Sequence, residues 1–203
     1  MKIIDRVHER GILPRRAQRL ADLLADLIPQ NASVLDVGSG DGQIDELILE
    51  KRSDVKIHGL EVSFREKSAF PVTYFDGKTL PFGDSSFDVV MFVDVLHHTD
   101  DPMILLREAV RVTIKHIAIK DHLLEGLLAG MRLRFMDYVG NARHGVALPF
   151  NYWTGQQWEQ SERSLGLQKR TEVKKLGLYP WAADWVFGAD LHFIALYDVA
   201  ATR

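Results

Sequence analysis

Residues 87–93, FDVVMFV, restrict the fold more than any other stretch of this chain. Only Asp88 interrupts the apolar run, so it has no polar face to give to water. A strand of this kind is buried on both sides, as in parallel sheets covered by helices on each face. The rest of the chain supplies partners for it. SVLDV (33–37), VKIHGL (55–60), VTYF (72–75) and HIAIK (116–120) read as further strands. Residues 15–28 set Ala17, Leu20, Leu24, Leu27 and Ile28 at spacings of three and four, an amphipathic helix stopped by Pro29. Gly42 opens a second helix with Ile44, Leu47 and Ile48 as its apolar stripe. Ser63 and Glu66 form an S-x-x-E capping box, and Asp101–Pro102 opens another helix with Asp as N-cap and Pro at the first position. Thr154 and Gln157 form a T-x-x-Q box flanked by Trp153 and Trp158, so a helix runs from about residue 155 to Gly166. Two late strands are expected near 171–176 and 192–198. Strands alternating with helices predict an α/β protein with a doubly wound parallel sheet.

With 46% hydrophobic residues, a chain of 203 can bury one sizeable core and is short for two, so one domain over 1–203 is expected. Residues 122–153 break the alternation. Leu124, Leu127, Leu128, Met131, Phe135, Tyr138 and Val139 keep helical spacing there, as core packing or the underside of a lid. Ligands of open α/β sheets bind at the carboxyl ends of the strands, where an insertion leaving the fifth strand could close over one.

A net charge of −3 gives no global attraction for nucleic acid. The absence of cysteine excludes disulfides and thiolate metal sites. Eight histidines without HExxH or comparable spacing do not argue for a metal. No run approaches the ~18 apolar residues of a membrane span, and the N-terminal charges interrupt any signal-peptide core. A soluble, cytoplasmic protein is expected. Nothing in the sequence sets an oligomeric state.

The functional signal is VLDVGSGDGQ, residues 34–43, a strand running into Gly38, Gly40 and Gly42. The dinucleotide fingerprint G-x-G-x-x-G would need glycine at position 43, where Gln43 stands. Asp36 and Asp41 also disfavour a pyrophosphate. At ~4 Å and an effective dielectric of ~20, each like-charge contact costs about 4 kcal/mol. A ligand with a cationic centre and no phosphate suits this loop, and S-adenosylmethionine is such a ligand.

D-V-G-S-G-D-G resembles the first motif of the class I S-adenosylmethionine-dependent methyltransferases, and further motifs follow in order over about residues 33–121. LPFGDSSFDVVMFVDVLHHTDDP is the most specific of them, similar to the small-molecule branch that includes quinone-biosynthesis enzymes. The resemblance implies a Rossmann-like sheet of seven strands, one of them antiparallel near the chain's end, at residues 192–198. It implies that Asp36, Gly38, Ser39, Gly40 and Gly42 form the cofactor loop. It places Glu61 and Val62 at the ribose, Asp76 and Gly77 near the adenine, and Val93 and Asp94 along the methionine end. The implied reaction is methyl transfer to a small-molecule acceptor. The alternative is a cofactor-binding relative without catalysis, a sensor or assembly partner. A protein or nucleic-acid methyltransferase ranks lower, since VDVLHH stands where amino-methylating nucleic-acid enzymes carry N/D-P-P-Y/F.

His97 and His122, with Asp121, are the candidates for chemistry at the methyl group. A histidine there could take a proton from an acceptor hydroxyl. The competing reading is a packed or partly solvated imidazole beside a capping aspartate. Arg132, Arg134, Arg143 and His144 read as a solvated helix face, or as contacts to an acidic acceptor. Trp153, Trp158, Trp181 and Trp185 could line an apolar pocket or serve packing. Asp84 and Asp88 read as structural.

Overall fold

The computed structural model describes residues 13–63, 72–141, 149–180, 184, 187, 188 and 190–200. Glu66 of the S-x-x-E box, Arg143, His144, Trp181 and Trp185 lie outside them. Five helices are described: α1 (Leu13–Leu27), α2 (Gln43–Lys51), α3 (Pro102–Val112), α4 (Ala129–Asn141) and α5 (Gly155–Leu165). The strands are β1 (Ser33–Val37), β2 (Lys56–Glu61), β3 (Val72–Tyr74), β4 (Phe87–Val93), β5 (Thr113–His122), β6 (Leu167–Val173) and β7 (His192–Val199). They form one sheet in the order β3-β2-β1-β4-β5-β7-β6, in which β7 alone runs antiparallel to its neighbours. From β1 the chain builds outward through β2 and β3, then returns to lay β4 on the other side of β1. That switch point opens a crevice at the carboxyl ends of β1 and β4.

The β4 run is buried as its composition demands. Val90 and Phe92 pack with Leu105, Leu106, Ala109 and Trp158, from α3 and α5. Val89 and Met91 pack on the other face with Leu20, Leu24, Ile28 and Ile48, from α1 and α2. The caps form as their residue types require. The Asp101 carboxylate accepts from Met103 N–H at 2.9 Å. Thr154 and Gln157 make the reciprocal capping box, and Trp153 and Trp158 meet edge to face at 4.9 Å. Asp88 accepts from the amide and hydroxyl of Ser33 and from Lys115, and Asp84 pairs with Arg111, so both are structural.

Three expectations shift. Strand β6 begins at Leu167, directly after α5 ends at Gly166 in the left-handed conformation, four residues before the expected start. Strand β5 extends to His122, so Asp121 and His122 are its last residues rather than the start of a loop. The stripe from Leu124 to Val139 is largely not core. Leu127 is 86% exposed, and Leu128, Met131, Phe135 and Tyr138 are also more than half exposed, while Ala129 and Leu133 carry the buried side of α4. No helix among the described residues is long and apolar enough to cross a membrane.

Candidate active site

The loop after β1 turns on three left-handed glycines, with φ of 83° at Gly38, 62° at Gly40 and 74° at Gly42. Leu60 O accepts from the amides of Gly38 (2.7 Å) and Ser39 (3.0 Å), which ties the loop to the end of β2. Glu61 lies beside it. Its Oε2 accepts from Gly40 N–H at 3.0 Å and its Oε1 from Val62 N–H at 2.7 Å. A Cβ on Gly38 would sit 2.5 Å from Val95 Cγ2, whereas one on Gly40 would enter open space. Val62 is exposed at the tip of β2, and a Cβ on Gly77 would lie 3.2 Å from its Cγ1. The fold therefore brings Gly38 to Gly42, Glu61, Val62 and Gly77 side by side at the carboxyl ends of β1 to β3. Asp76 stands just past β3, where its Oδ1 accepts from Lys78 and Thr79 N–H in a tight turn.

Asp36 is placed differently from a groove-facing carboxylate. It is buried beneath the loop against Asp45 of α2, which is itself fully buried. Asp36 Oδ1 and both Asp45 oxygens lack hydrogen-bond partners. Burial pushes Asp36 up to about 7, and Asp45 rises well above the carboxylate range through burial and the Asp36 charge. An acidic floor of this kind favours a cation over a phosphate.

A second cluster closes the crevice at the ends of β4 and β5. Asp94, left-handed at φ 58°, pairs with Arg16 of α1 and Lys120 of β5. His97, on a 3₁₀ turn over Leu96–His98, contacts Asp121 Oδ1 through Nδ1 at 2.6 Å. Asp121 also accepts from the amides of Leu96 and His122. His97 Nε2 is buried without a hydrogen bond and lies 3.6 Å from Asp137 Oδ2 of α4. His122 Nε2 lies 3.7 Å from Asp94 Oδ1 and 3.8 Å from Asp137 Oδ1. The Tyr152 hydroxyl donates to Asp137.

Hydrogen bonding assigns the tautomers. Phe187 O can only accept, so His192 Nε2 carries a proton and its Nδ1 receives from Lys120 Nζ (3.2 Å) and His122 Nδ1 (3.1 Å). His122 therefore turns an unprotonated Nε2 toward the two carboxylates. Burial and the positive charges of His97 and Lys120 hold His122 well below its usual range. For His97 burial opposes charge, but the Asp121 and Asp137 carboxylates override it and push the group up to about 10. Asp94 stays well below the usual range despite burial, held there by Lys120 and Arg16.

The sequence reading named His97, Asp121, His122 and Asp94, and the fold brings these four together. It missed Asp45, Lys120, Asp137, Tyr152 and His192. Two signals existed. Lys120 ends the apolar strand HIAIK, and a lysine buried there needs a carboxylate partner. Asp137 interrupts the apolar stripe of α4. Of the arginines, Arg134 is exposed and sits 5.6 Å above the Phe150 ring, the solvated-face reading.

Comparison with known proteins places the glycine-loop segment among known relatives. A family described as "Methyltransferase domain" matches residues 35–116, the segment that carries the glycine loop, Glu61 and β4. Over that segment the chain is similar to this methyltransferase domain, and its fold is the Rossmann-like fold of class I S-adenosylmethionine-dependent methyltransferases. The 27-O-demethylrifamycin SV methyltransferase of Amycolatopsis mediterranei (strain S699) is 30% identical over 140 residues, covering 61% of this chain and 51% of that protein. An uncharacterized methyltransferase of Mycobacterium sp. (strain JLS) is 32% identical over 139 residues, covering 63% and 54%. The chain thus spans about half the length of the curated relatives it matches. Among solved structures, a chain from the complex of the Haloferax volcanii Trm112 methyltransferase activator with a methyltransferase superposes with a TM-score of 0.67 at 14% identity, over 98% of this chain and 97% of that one. A methyltransferase from Aquifex aeolicus gives 0.63 at 14% identity, over 97% and 98%. S-adenosylmethionine is the cofactor that this family and fold imply. The groove fits it. Open space lies beside Gly40, the Glu61 carboxylate stands at the end of β2, and the floor is acidic.

Proposed function

We propose that this protein transfers a methyl group from S-adenosylmethionine to a small-molecule acceptor seated between the ends of β4 and β5 and helix α4. The observation that carries this reading is the adjacency of two sites, a glycine groove suited to the cofactor and a buried imidazole–carboxylate cluster. Asp94, at the junction, borders both. The cofactor supplies an activated methyl on a sulfonium, so alignment of acceptor and donor is the protein's main task. In this reading Gly38 to Gly42 and Glu61 hold the adenosyl half, with Val62, Asp76 and Gly77 along the adenine and Val93 and Asp94 along the methionine end. Asp121 positions His97, and His97 and His122 present their Nε2 atoms to the acceptor's heteroatom. Helix α4 and Tyr152, from the expected insertion, form the acceptor-side cover. A soluble, cytoplasmic setting accords with the lack of a membrane-spanning helix among the described residues. The named Amycolatopsis relative, whose name denotes a small-molecule substrate, supports the acceptor class.

A second reading, a cofactor-binding protein that acts as an assembly partner, is favoured by the exposed apolar face of α4. Calorimetric titration with S-adenosylhomocysteine, with NAD as control, tests the shared premise. Saturable 1:1 binding of the first and none of the second is expected, and binding of NAD alone would overturn both readings. Acceptor screening by mass then separates them. Methylated product upholds the enzyme, and cofactor binding without any product across the screen favours the assembly partner.

A further inference from the structure

We propose that His97 and His122, with the carboxylates of Asp94 and Asp137, form a site for one divalent transition-metal ion, and that the ion receives the oxygen of the methyl acceptor. The first half stands on the cluster alone; the second rests on the methyltransferase reading above. Asp94, His97 and His122 each bring a ligand atom within 4.8 Å of the others, and His97, His98 and Asp137 form an overlapping set. The facing nitrogen and oxygen atoms stand 3.6 to 3.8 Å apart, beyond a hydrogen bond. Metal–ligand bonds of about 2.0–2.2 Å set tetrahedral ligand atoms roughly 3.3–3.6 Å apart, so a shift of a few tenths of an ångström closes the site.

The second observation is His97 Nε2, buried and unpartnered while aimed at Asp137. The outer nitrogens are already engaged, His97 Nδ1 by Asp121 and His122 Nδ1 by His192. Outer-nitrogen bonds of this sort orient metal-binding imidazoles and fix their tautomer. The charges also leave room for a cation. Three carboxylates (Asp94, Asp121 and Asp137) face two cationic side chains (Arg16 and Lys120), so neutral imidazoles leave one negative charge in excess. Two imidazole nitrogens with carboxylate oxygens suit zinc, cobalt, manganese or iron better than magnesium or calcium. Beside such an ion an acceptor hydroxyl ionises more readily. Its proton leaves to water, its oxygen's electron pair forms the bond to the methyl carbon, and the carbon–sulfur bond breaks with its pair kept by sulfur.

The test uses the whole purified chain. Metal content is measured by mass spectrometry, and the protein is then stripped with a chelator. Cobalt(II) is titrated back while its visible absorption is recorded, with S-adenosylhomocysteine calorimetry on the same samples. One equivalent per chain is expected, with the intense visible bands of four-coordinate cobalt. His97→Asn and His122→Asn should each weaken cobalt binding at least tenfold while homocysteine-adduct binding persists, which also shows that the variants are folded. Asp121→Asn, which removes the carboxylate that orients His97, should weaken it about 10–100-fold. Folded wild-type protein that binds S-adenosylhomocysteine but neither cobalt, zinc nor manganese at 1:1 would overturn the site and leave His97 as a protonated pin between Asp121 and Asp137. Stoichiometric cobalt binding unchanged in both histidine variants would overturn it too. Metal binding without S-adenosylhomocysteine binding would uphold the site and remove the methyl-transfer half.

Discussion

At Gly38 and Gly40 the same substitution has two different meanings. Both residues are left-handed, so alanine strains the backbone at either. At Gly38 the new methyl also meets Val95 at 2.5 Å, whereas at Gly40 it projects into the groove. Gly38→Ala is expected to cost about 1–3 kcal/mol of stability together with S-adenosylhomocysteine binding. Gly40→Ala should lose binding with a stability cost of only about 1 kcal/mol. Urea unfolding and calorimetry on the two variants check the contrast. Asp45 makes a second residue-scale case. Its carboxyl and that of Asp36 have folded pKa values above their unfolded ones. The Asp36 contribution to stability is therefore present below about pH 4 and lost as pH rises through about 7, and that of Asp45 is likewise lost as pH rises above the ordinary carboxylate range. Asp45→Asn, which mimics the protonated acid, should stabilise by about 1–2 kcal/mol at pH 8 and by much less at pH 4.5. Thermal unfolding at the two pH values measures it. An equal effect at both would show that the pair is not titrating.

At the scale of elements, α4 shows how far periodicity reaches. Helical spacing of apolar residues marked residues 124–139 as a helix, and α4 covers them from Ala129 onward, while 124–128 form a turn leading into it. Periodicity does not say which flank meets the core. Leu133 is fully buried while Met131 and Phe135 are exposed, because the helix docks through the side that also carries Asp137. Leu133→Ala is expected to cost about 2–5 kcal/mol. Met131→Ser and Phe135→Ser should each stay within about 0.5 kcal/mol. Denaturant midpoints of the three variants decide this, and a large loss in the serine variants would place that flank in a core. Strand β4, by contrast, was legible to the residue, since seven apolar-rich positions admit only burial on both faces. The Thr154–Gln157 capping box was legible for a similar reason, since its hydrogen bonds close within four residues.

At the scale of the whole molecule, the titrating groups set a pH optimum. His97 is raised to about 10 by its two carboxylates, so its stabilisation is full below about 6.5 and fades as pH rises through 10. Asp36 withdraws stability over about 4 to 7, and Asp45, raised well above the carboxylate range, withdraws it in the same direction. Asp88 and Asp94, held below the usual carboxylate range, are lost only at strongly acidic pH. Buried neutral His122 and His192, held well below the imidazole range, add stability as pH rises to about 6.5, so the metal-free protein should be most stable near pH 6 to 7 and lose on the order of 3 kcal/mol by pH 10. Asp121→Asn should flatten the alkaline limb. Chemical unfolding across pH 4–10 tests both, and an optimum at pH 8 would contradict the burial assigned to these groups.

The sequence by itself determined the sheet, the caps and the glycine groove, because each follows from contacts a few residues apart or from the composition of a single strand. It also ordered the acidic residues along the carboxyl edge of the sheet, since every strand of a parallel sheet delivers its last residues to one edge. What only the tertiary structure decided is the buried charge. Asp45 reaches Asp36 across the β1–α2 turn, Arg16 and Lys120 meet at Asp94 from a helix and a strand over 100 residues apart, and Asp137 descends from α4 onto His97 and His122. No spacing rule registers such a set. Its ligand atoms belong to separate elements, and their separation is fixed by how those elements pack rather than by their distance along the chain.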